Sequence, residues 1–476
     1  MPLTTPFVTL WRSLALAVAI LALPCAAHAQ TVTVDAAKIR AFVADVMRDD
    51  AIPGLAVVVV HRDGTAYAEG FGKTGRANGA VTPDTPFLLG SMSKSITALA
   101  VMQLVEEGRV DLVAPVGAYL PDFAMLSADA KTITIAQLLA HTSGIPANAA
   151  RAQGDAPTLA EHVAALQGVA LERAPGTAYE YASPNYQVLG RVVEVVSGES
   201  FAAFVARRIF APLGMRHSFV DAASADAAGL ARGHQMLLGT AVPRDLPAEP
   251  GRLPTAALIS SANDLGRFMR AQLRGGELDG ARVATAQSVA AMHRPLVQLQ
   301  GFGYAMGWRV SNIGTEPAVH HGGILPNYRG KMVMLPKLGM GVAVLTNVST
   351  VIGSPSSHHI ADGVAAIVSG QDPRPAPRWS LRWTLLAVAI GMVLVTALQV
   401  RGLVRAIRAP RSVGVAAREI VFAAALVLGL PILVGFGWAE MWHQAPDMVV
   451  WVAVAAMLGV ATGLLRLRQT VGAGSA

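Results

Sequence analysis

Three long apolar runs constrain this chain more than any other feature. They cover roughly 383–400, 420–438 and 448–465. Each approaches the ~20 residues that a helix needs to cross a bilayer. Helices of a soluble core would carry a polar face, and these runs have few charges and no such face. The sequence therefore predicts three transmembrane helices. They follow a proline-punctuated linker over 371–382, which begins QDPRPAPRWS. The runs hold no Lys, Arg, Asp, Glu or His near their centres, so they read as an anchor rather than a transport path.

Charge sets the expected orientation. The first run is followed by Arg401, Arg405, Arg408, Arg411 and Arg418, the second by Glu440 and Asp447, and the third by Arg466 and Arg468. Clustered arginine marks the cytoplasmic side, so the arginine loop and the C-terminus are expected inside and residues 30–380 outside. The N-terminal end agrees. Arg12, an apolar stretch over 14–23 and Ala27-His28-Ala29 form the pattern of a signal peptide over 1–29. The one cysteine, Cys25, would leave with it, and no disulfide is expected. The predicted location is a bacterial-type inner membrane, crossed several times, with the large domain on the periplasmic side.

This topology also accounts for the net charge of +7. Ten Lys/Arg and four Asp/Glu lie from 371 onward, Arg12 precedes the domain, and the remaining 27 basic and 27 acidic residues cancel. No basic patch with interleaved aromatics is present, so nucleic acid is not an expected partner. The expected partners are the lipid bilayer and a small-molecule or peptide substrate, and the sequence leaves the oligomeric state open.

The domain over 30–370 is long enough to bury a large core. It opens with a predicted helix carrying Ile39, Phe42, Val43, Val46 and Met47 on one face. GLAVVVVHRDGTAYAEGFG then reads as a hairpin turning at Asp63-Gly64. Helical patterns fill the middle, and YAMGWRV, KMVMLP and MGVAVLTN read as late strands. Strands at both ends with helices between them predict an α+β fold: one antiparallel sheet flanked by helices, with an all-helical subdomain.

Residues 90–108, GSMSKSITALAVMQLVEEG, hold the first chemical candidate. Ser91 is positioned to cap the apolar helix that follows, with Gly108 as its C-terminal stop. Lys94 lies three residues on and shares its face. A serine needs an adjacent base to become a nucleophile, and a lysine serves as one only where its pKa is lowered. No G-x-S-x-G elbow, phosphate loop or H-E-x-x-H occurs. The pairs His320-His321 and His358-His359 are poor metal sites, because neighbours on a strand face opposite ways. Neither metal nor cofactor is expected.

Several stretches together resemble one family, the class C serine β-lactamases with the related penicillin-recognising DD-peptidases and esterases. SMSK resembles its S-x-x-K motif. ITIAQLLAHTSGIP (133–146), YEYASPNYQVLGRVVE (179–194), FAPLGMRHS (210–218), LISSANDLGRFM (258–269) and HHGGILPNY (320–328) resemble later landmarks in the same order. The resemblance implies an acyl-enzyme serine hydrolase with Ser91 as nucleophile, Lys94 as its partner and Tyr181 in the general-base slot. It implies substrate contacts from Ser183, His321 and Gly323, with an oxyanion hole from the backbone N–H groups of Ser91 and Ile324. Packed together, Lys94 and Tyr181 titrate as a unit, which leaves the base open between them.

Two departures from the family pattern stand out. Ser183 replaces the usual Asn of Y-x-N, while Ser183-Pro184-Asn185 offers a rival S-x-N register. His321 replaces a lysine, so a fixed positive charge becomes a group expected to charge only toward pH 6. The implied substrate is an ester or amide: a D-amino-acid peptide, a small ester or a β-lactam. The alternative is a slow or inactive binding module that senses a ligand, and a third reading makes the chain purely structural.

Overall fold

The computed structural model describes residues 34–76, 79–149, 158–245, 250–350, 356–375, 381–408, 413–434 and 437–473. The expected signal peptide and Cys25 lie outside these residues, as does the 376–380 part of the linker.

An eight-stranded sheet forms the backbone of the domain. Its strands are β1 (Gly54–His61), β2 (Gly64–Gly72), β3 (Val297–Gln298), β4 (Gly303–Tyr304), β5 (Arg309–Ile313), β6 (Glu316–Ile324), β7 (Arg329–Leu335) and β8 (Met340–Thr346), in the order β2-β1-β8-β7-β6-β5-β4-β3. Every pairing is antiparallel, and β1 joins the two ends of the domain through Val58 opposite Ala343. The sheet predicted from both chain ends is thus the observed one. The first hairpin turns at Arg62–Asp63, and Gly64 already pairs with His61. YAMGWRV is not one strand: Gly307, at φ 73°, turns the chain between β4 and β5. That left-handed conformation is cheap only for glycine.

Helices cover both faces, which is why β1, β7 and β8 are buried along nearly their whole length instead of alternating. On one face lie α1 (Ala36–Asp50) and, near the end of the domain, the helix Ser356–Val368; Phe42 packs on Gly363 there. On the other face α2 (Ser93–Glu106) runs through the core, followed by α3 (Pro184–Ser197) and α4 (Ala262–Leu273). Gly266 of α4 sits against Val58 and Val60, where a Cβ would crowd Val60 at 2.9 Å. Every residue of α2 from Ser93 to Leu104 is buried. Its apolar spacing marks a central helix rather than one with a wet face.

Beyond α5 (Ser356–Val368) come three long apolar helices: α6 (Leu381–Arg408), α7 (Val413–Val434) and α8 (Pro446–Ala473). Their membrane-length segments are Arg382–Arg408, Val415–Leu433 and Pro446–Arg468. The second starts and ends about five residues earlier than the sequence predicts. Trp438–Gln444 forms a separate short helix, entered through extended backbone at Gly437.

Candidate active site

The site forms where the start of α2 meets the end of β6. Gly90 takes φ 56°, and residues Gly90–Met92 make a single tight turn before α2 begins at Ser93. Ser91 is therefore not an N-cap. A cap needs an extended backbone so that its oxygen can reach back to N–H groups ahead of it. Ser91 lies within the tight turn, and its hydroxyl is directed to Lys94 instead.

Lys94 is wholly buried. Its Nζ donates to Ser91 Oγ at 3.2 Å, to the Thr255 carbonyl at 3.0 Å and to Ser183 Oγ at 3.4 Å. It also stands 4.9 Å from the centre of the Tyr181 ring. No carboxylate accompanies it in these contacts. Burial without a counter-charge lowers its pKa to about 7.

Tyr181 and Ser183 reach Lys94 from the loop before α3. Burial pushes the Tyr181 phenol up to about 12, and Ser91 and Arg309 only partly oppose it. The enclosed hydroxyl makes no hydrogen bond of good geometry, although the Ser91 hydroxyl is near enough to act on it. Asn185 is turned away: its Oδ1 accepts from Ser143 Oγ at 2.6 Å and its Nδ2 meets His141 Nδ1 at 3.0 Å. Tyr181 and Ser183, not Asn185, are the residues of this loop that the fold brings to Lys94.

His141 was not singled out by the sequence. It is buried and holds φ 58°, a conformation that costs a non-glycine residue about 1 kcal/mol. Its Nδ1 accepts from the Ala182 N–H at 3.2 Å, so the proton of the neutral ring is on Nε2, which is enclosed and without a partner. The ring lies 4.3 Å from the Tyr181 ring and within 5.2 Å of Tyr186 and Tyr304. Burial, then the fields of Lys94 and His321, hold its pKa well below the usual value.

The opposite wall is the end of β6. His321 is buried; its Nδ1 donates to the Gly322 carbonyl at 2.8 Å, and its Nε2 accepts from the Tyr304 hydroxyl at 3.3 Å. Burial, with Lys94 and Arg309 adding to it, holds its pKa well below 6.5. The expectation that it charges toward pH 6 is therefore corrected: this imidazole stays neutral, because water cannot reach it and the surrounding charges are positive. His320 faces the other way and pairs with Ser311 Oγ at 2.9 Å. His358 and His359 lie on a helix, not a strand. Among the described residues no group of His, Cys, Asp and Glu could hold a metal ion.

Two glycines bring this wall against the Ser91 turn. A Cβ on Gly323 would overlap the Leu89 carbonyl, and one on Gly90 would stand 2.7 Å from the Ile324 amide nitrogen. Ile324 itself is half exposed. Arg309, also missed in the sequence, sits on β5 with its guanidinium 4.8 Å from the Phe302 ring. Its field lowers the pKa of Tyr179, Tyr181, His141 and His321 together. Its position within a strand-like stretch gave no signal of this role.

The Beta-lactamase family matches residues 39–366. Penicillin-binding protein 4 of Amycolatopsis lactamdurans is 34% identical over 312 aligned positions, with coverage of 62% of this chain and 81% of that protein. Protein flp of Staphylococcus aureus is 28% identical over 306 residues, 63% of this chain and 60% of that protein. A solved octameric penicillin-binding protein homologue from Pyrococcus abyssi superposes with a TM-score of 0.63 at 28% identity, covering 71% of this chain and 78% of its own. The D-alanine carboxypeptidase AmpC from Burkholderia cenocepacia shares the fold, with a TM-score of 0.59 at 21% identity over 70% of this chain and 98% of its own. A family match across most of the folded domain, around a serine and lysine in contact, makes this chain a member of the beta-lactamase family of serine hydrolases.

Proposed function

We propose that the protein is a membrane-anchored serine hydrolase that acts through a Ser91 acyl-enzyme. The observation that carries this reading is the contact between a fully buried Lys94 and Ser91 Oγ at 3.2 Å. A lysine with a pKa near 7 is half neutral at that pH, and a neutral amine can take the serine proton. Tyr181, pushed up to about 12, rests as the phenol. The resting base is Lys94, and Tyr181 relays a proton.

In the first step Ser91 Oγ attacks the substrate carbonyl while its proton passes to Lys94. The N–H groups of Ser91 and Ile324 hold the resulting oxyanion. Collapse breaks the bond to the leaving group, which takes the proton through Tyr181 and departs. Water then attacks the ester on Ser91 with the same base, releasing the acid and restoring the serine.

The substrate is an ester or amide with an anionic group near the scissile bond. His321 is neutral, and Arg309 supplies the positive field in its place. D-amino-acid peptides, small anionic esters and β-lactams fit that description. Extracytoplasmic placement is supported by the arginines that follow α6 and end α8, which mark the opposite, cytoplasmic side. Hairpin 234–243 touches the starts of both α6 and α8, as helices that enter from the same side require.

The test is hydrolysis by the full-length protein in detergent of a p-nitrophenyl ester, a chromogenic cephalosporin and a peptide ending in D-alanyl-D-alanine. Turnover of at least one, abolished by Ser91→Ala, is expected. A folded wild type that turns over none of them would favour the binding-module reading instead.

A further inference from the structure

The hairpin made by His234–Leu237 and Thr240–Pro243 has an unusual tip. Leu238 and Gly239 form its two-residue turn, and both have positive φ, at 48° and 79°. Such turns favour Asn, Asp or Gly at the first position. A leucine there is strained, and it is also 45% exposed, with Val242 of the same hairpin exposed beside it. A soluble turn gains nothing from that choice.

The surroundings supply a reason. The Leu238 N–H donates to Asp447 Oδ2 at 3.0 Å, at the start of α8. Gly239 packs on the start of α6, where a Cβ would come within 2.8 Å of Leu386 and 3.2 Å of the Arg382 carbonyl. Trp383 is exposed at that level, with the Arg382 guanidinium 5.8 Å from its ring, and Trp442 is exposed between the second and third spans. Tryptophan beside arginine at a span end marks the headgroup layer. With α6 and α8 read as spans, the tip falls at the level of the headgroup layer.

We propose that hairpin 234–243 is a membrane-docking element that inserts Leu238 into the outer lipid interface and fixes the domain's stance on the bilayer. The base of the hairpin is tied to the site wall. The His234 N–H donates to the Asn347 carbonyl at 2.8 Å, and Asn327 Nδ2 donates to the Arg244 carbonyl at 2.8 Å. Asn327 lies in the turn between β6 and β7, three residues after Ile324. The site wall at the end of β6 is thus held close to the membrane surface. The proposal rests on reading α6, α7 and α8 as spans and is independent of the catalytic reading.

The experiment uses full-length protein in lipid nanodiscs, with Cys25→Ser so that any chain retaining residues 1–29 carries no second thiol. A polarity-sensitive fluorophore is attached at Leu238→Cys, at Val242→Cys, and at Val113→Cys as an exposed control. Spin-labelled lipid should quench the hairpin probes several-fold more than the control, with emission shifted to the blue. Equal quenching at all three sites in disc-bound protein would overturn the docking element alone. Failure of the protein to elute with the discs would overturn the spans and the proposal with them.

Discussion

Lys94 Nζ stands 3.2 Å from Ser91 Oγ, and the amine is closed off from water. Its hydrogen bonds go to two hydroxyls and a carbonyl, none of which offsets a full charge. Activity should therefore depend on pH through this lysine. Below about 7 it is protonated and cannot accept the serine proton; above, it can. The logarithm of kcat/KM should rise with pH through about 7 and then level off. His321 should add no step near pH 6.5, because burial and the positive charges of Lys94 and Arg309 hold its pKa well below that value.

The same burial affects stability, with a definite sign. Unfolded lysine titrates near 10.4, whereas folded Lys94 titrates near 7. Between those values the unfolded chain binds more protons, so this group makes the folded state gain stability as pH rises from 7 to 10. Lys94→Met lacks the group. Thermal melts should show wild type gaining on Lys94→Met across that window, and a constant difference would contradict the burial argument.

Gly323 lets the end of β6 approach the serine turn. Gly323→Ala would press a methyl group into the Leu89 carbonyl and lift the Ile324 N–H from its place. Losing one oxyanion donor costs about 3 kcal/mol in the barrier, or roughly a hundred-fold in kcat. Steady-state kinetics should show that fall, and the melting temperature should drop with it, because the Leu89 backbone must shift to admit the methyl group.

His141 positions Tyr181 through a 4.3 Å ring contact while its backbone sits at φ 58°. Both His141→Ala and His141→Gly should lower kcat, since both remove the ring. Glycine relieves the strained φ and alanine does not, so His141→Gly should be the more stable of the two by about 1 kcal/mol. Chemical denaturation of the two variants gives that difference.

The sequence reveals what local spacing carries. Ser91 and Lys94 share a face at i and i+3, and the Asp63-Gly64 turn signal marks the first hairpin to within one residue of its turn at Arg62–Asp63. The three apolar helices follow from length and hydropathy. It does not reveal roles created by distant packing. His141 reaches Tyr181 across forty residues, and its part depends on a strained φ that no pattern announces. Arg309 lies within an ordinary strand stretch and matters only because β5 borders β6. The cap expected at Ser91 fails because Gly90 tightens the turn, which follows from its closeness to Ile324. His321 stays neutral for the same kind of reason, since burial and Lys94 act on it from elsewhere in the chain.

The central claim is a covalent acyl group on Ser91. The most direct measurement is intact mass of the full-length protein after brief incubation with a penicillin, followed by peptide mapping. A mass gain of one acyl group on the peptide bearing Ser91, absent in Ser91→Ala, is the predicted result. A gain that maps to another residue, or that persists in Ser91→Ala, would contradict the account.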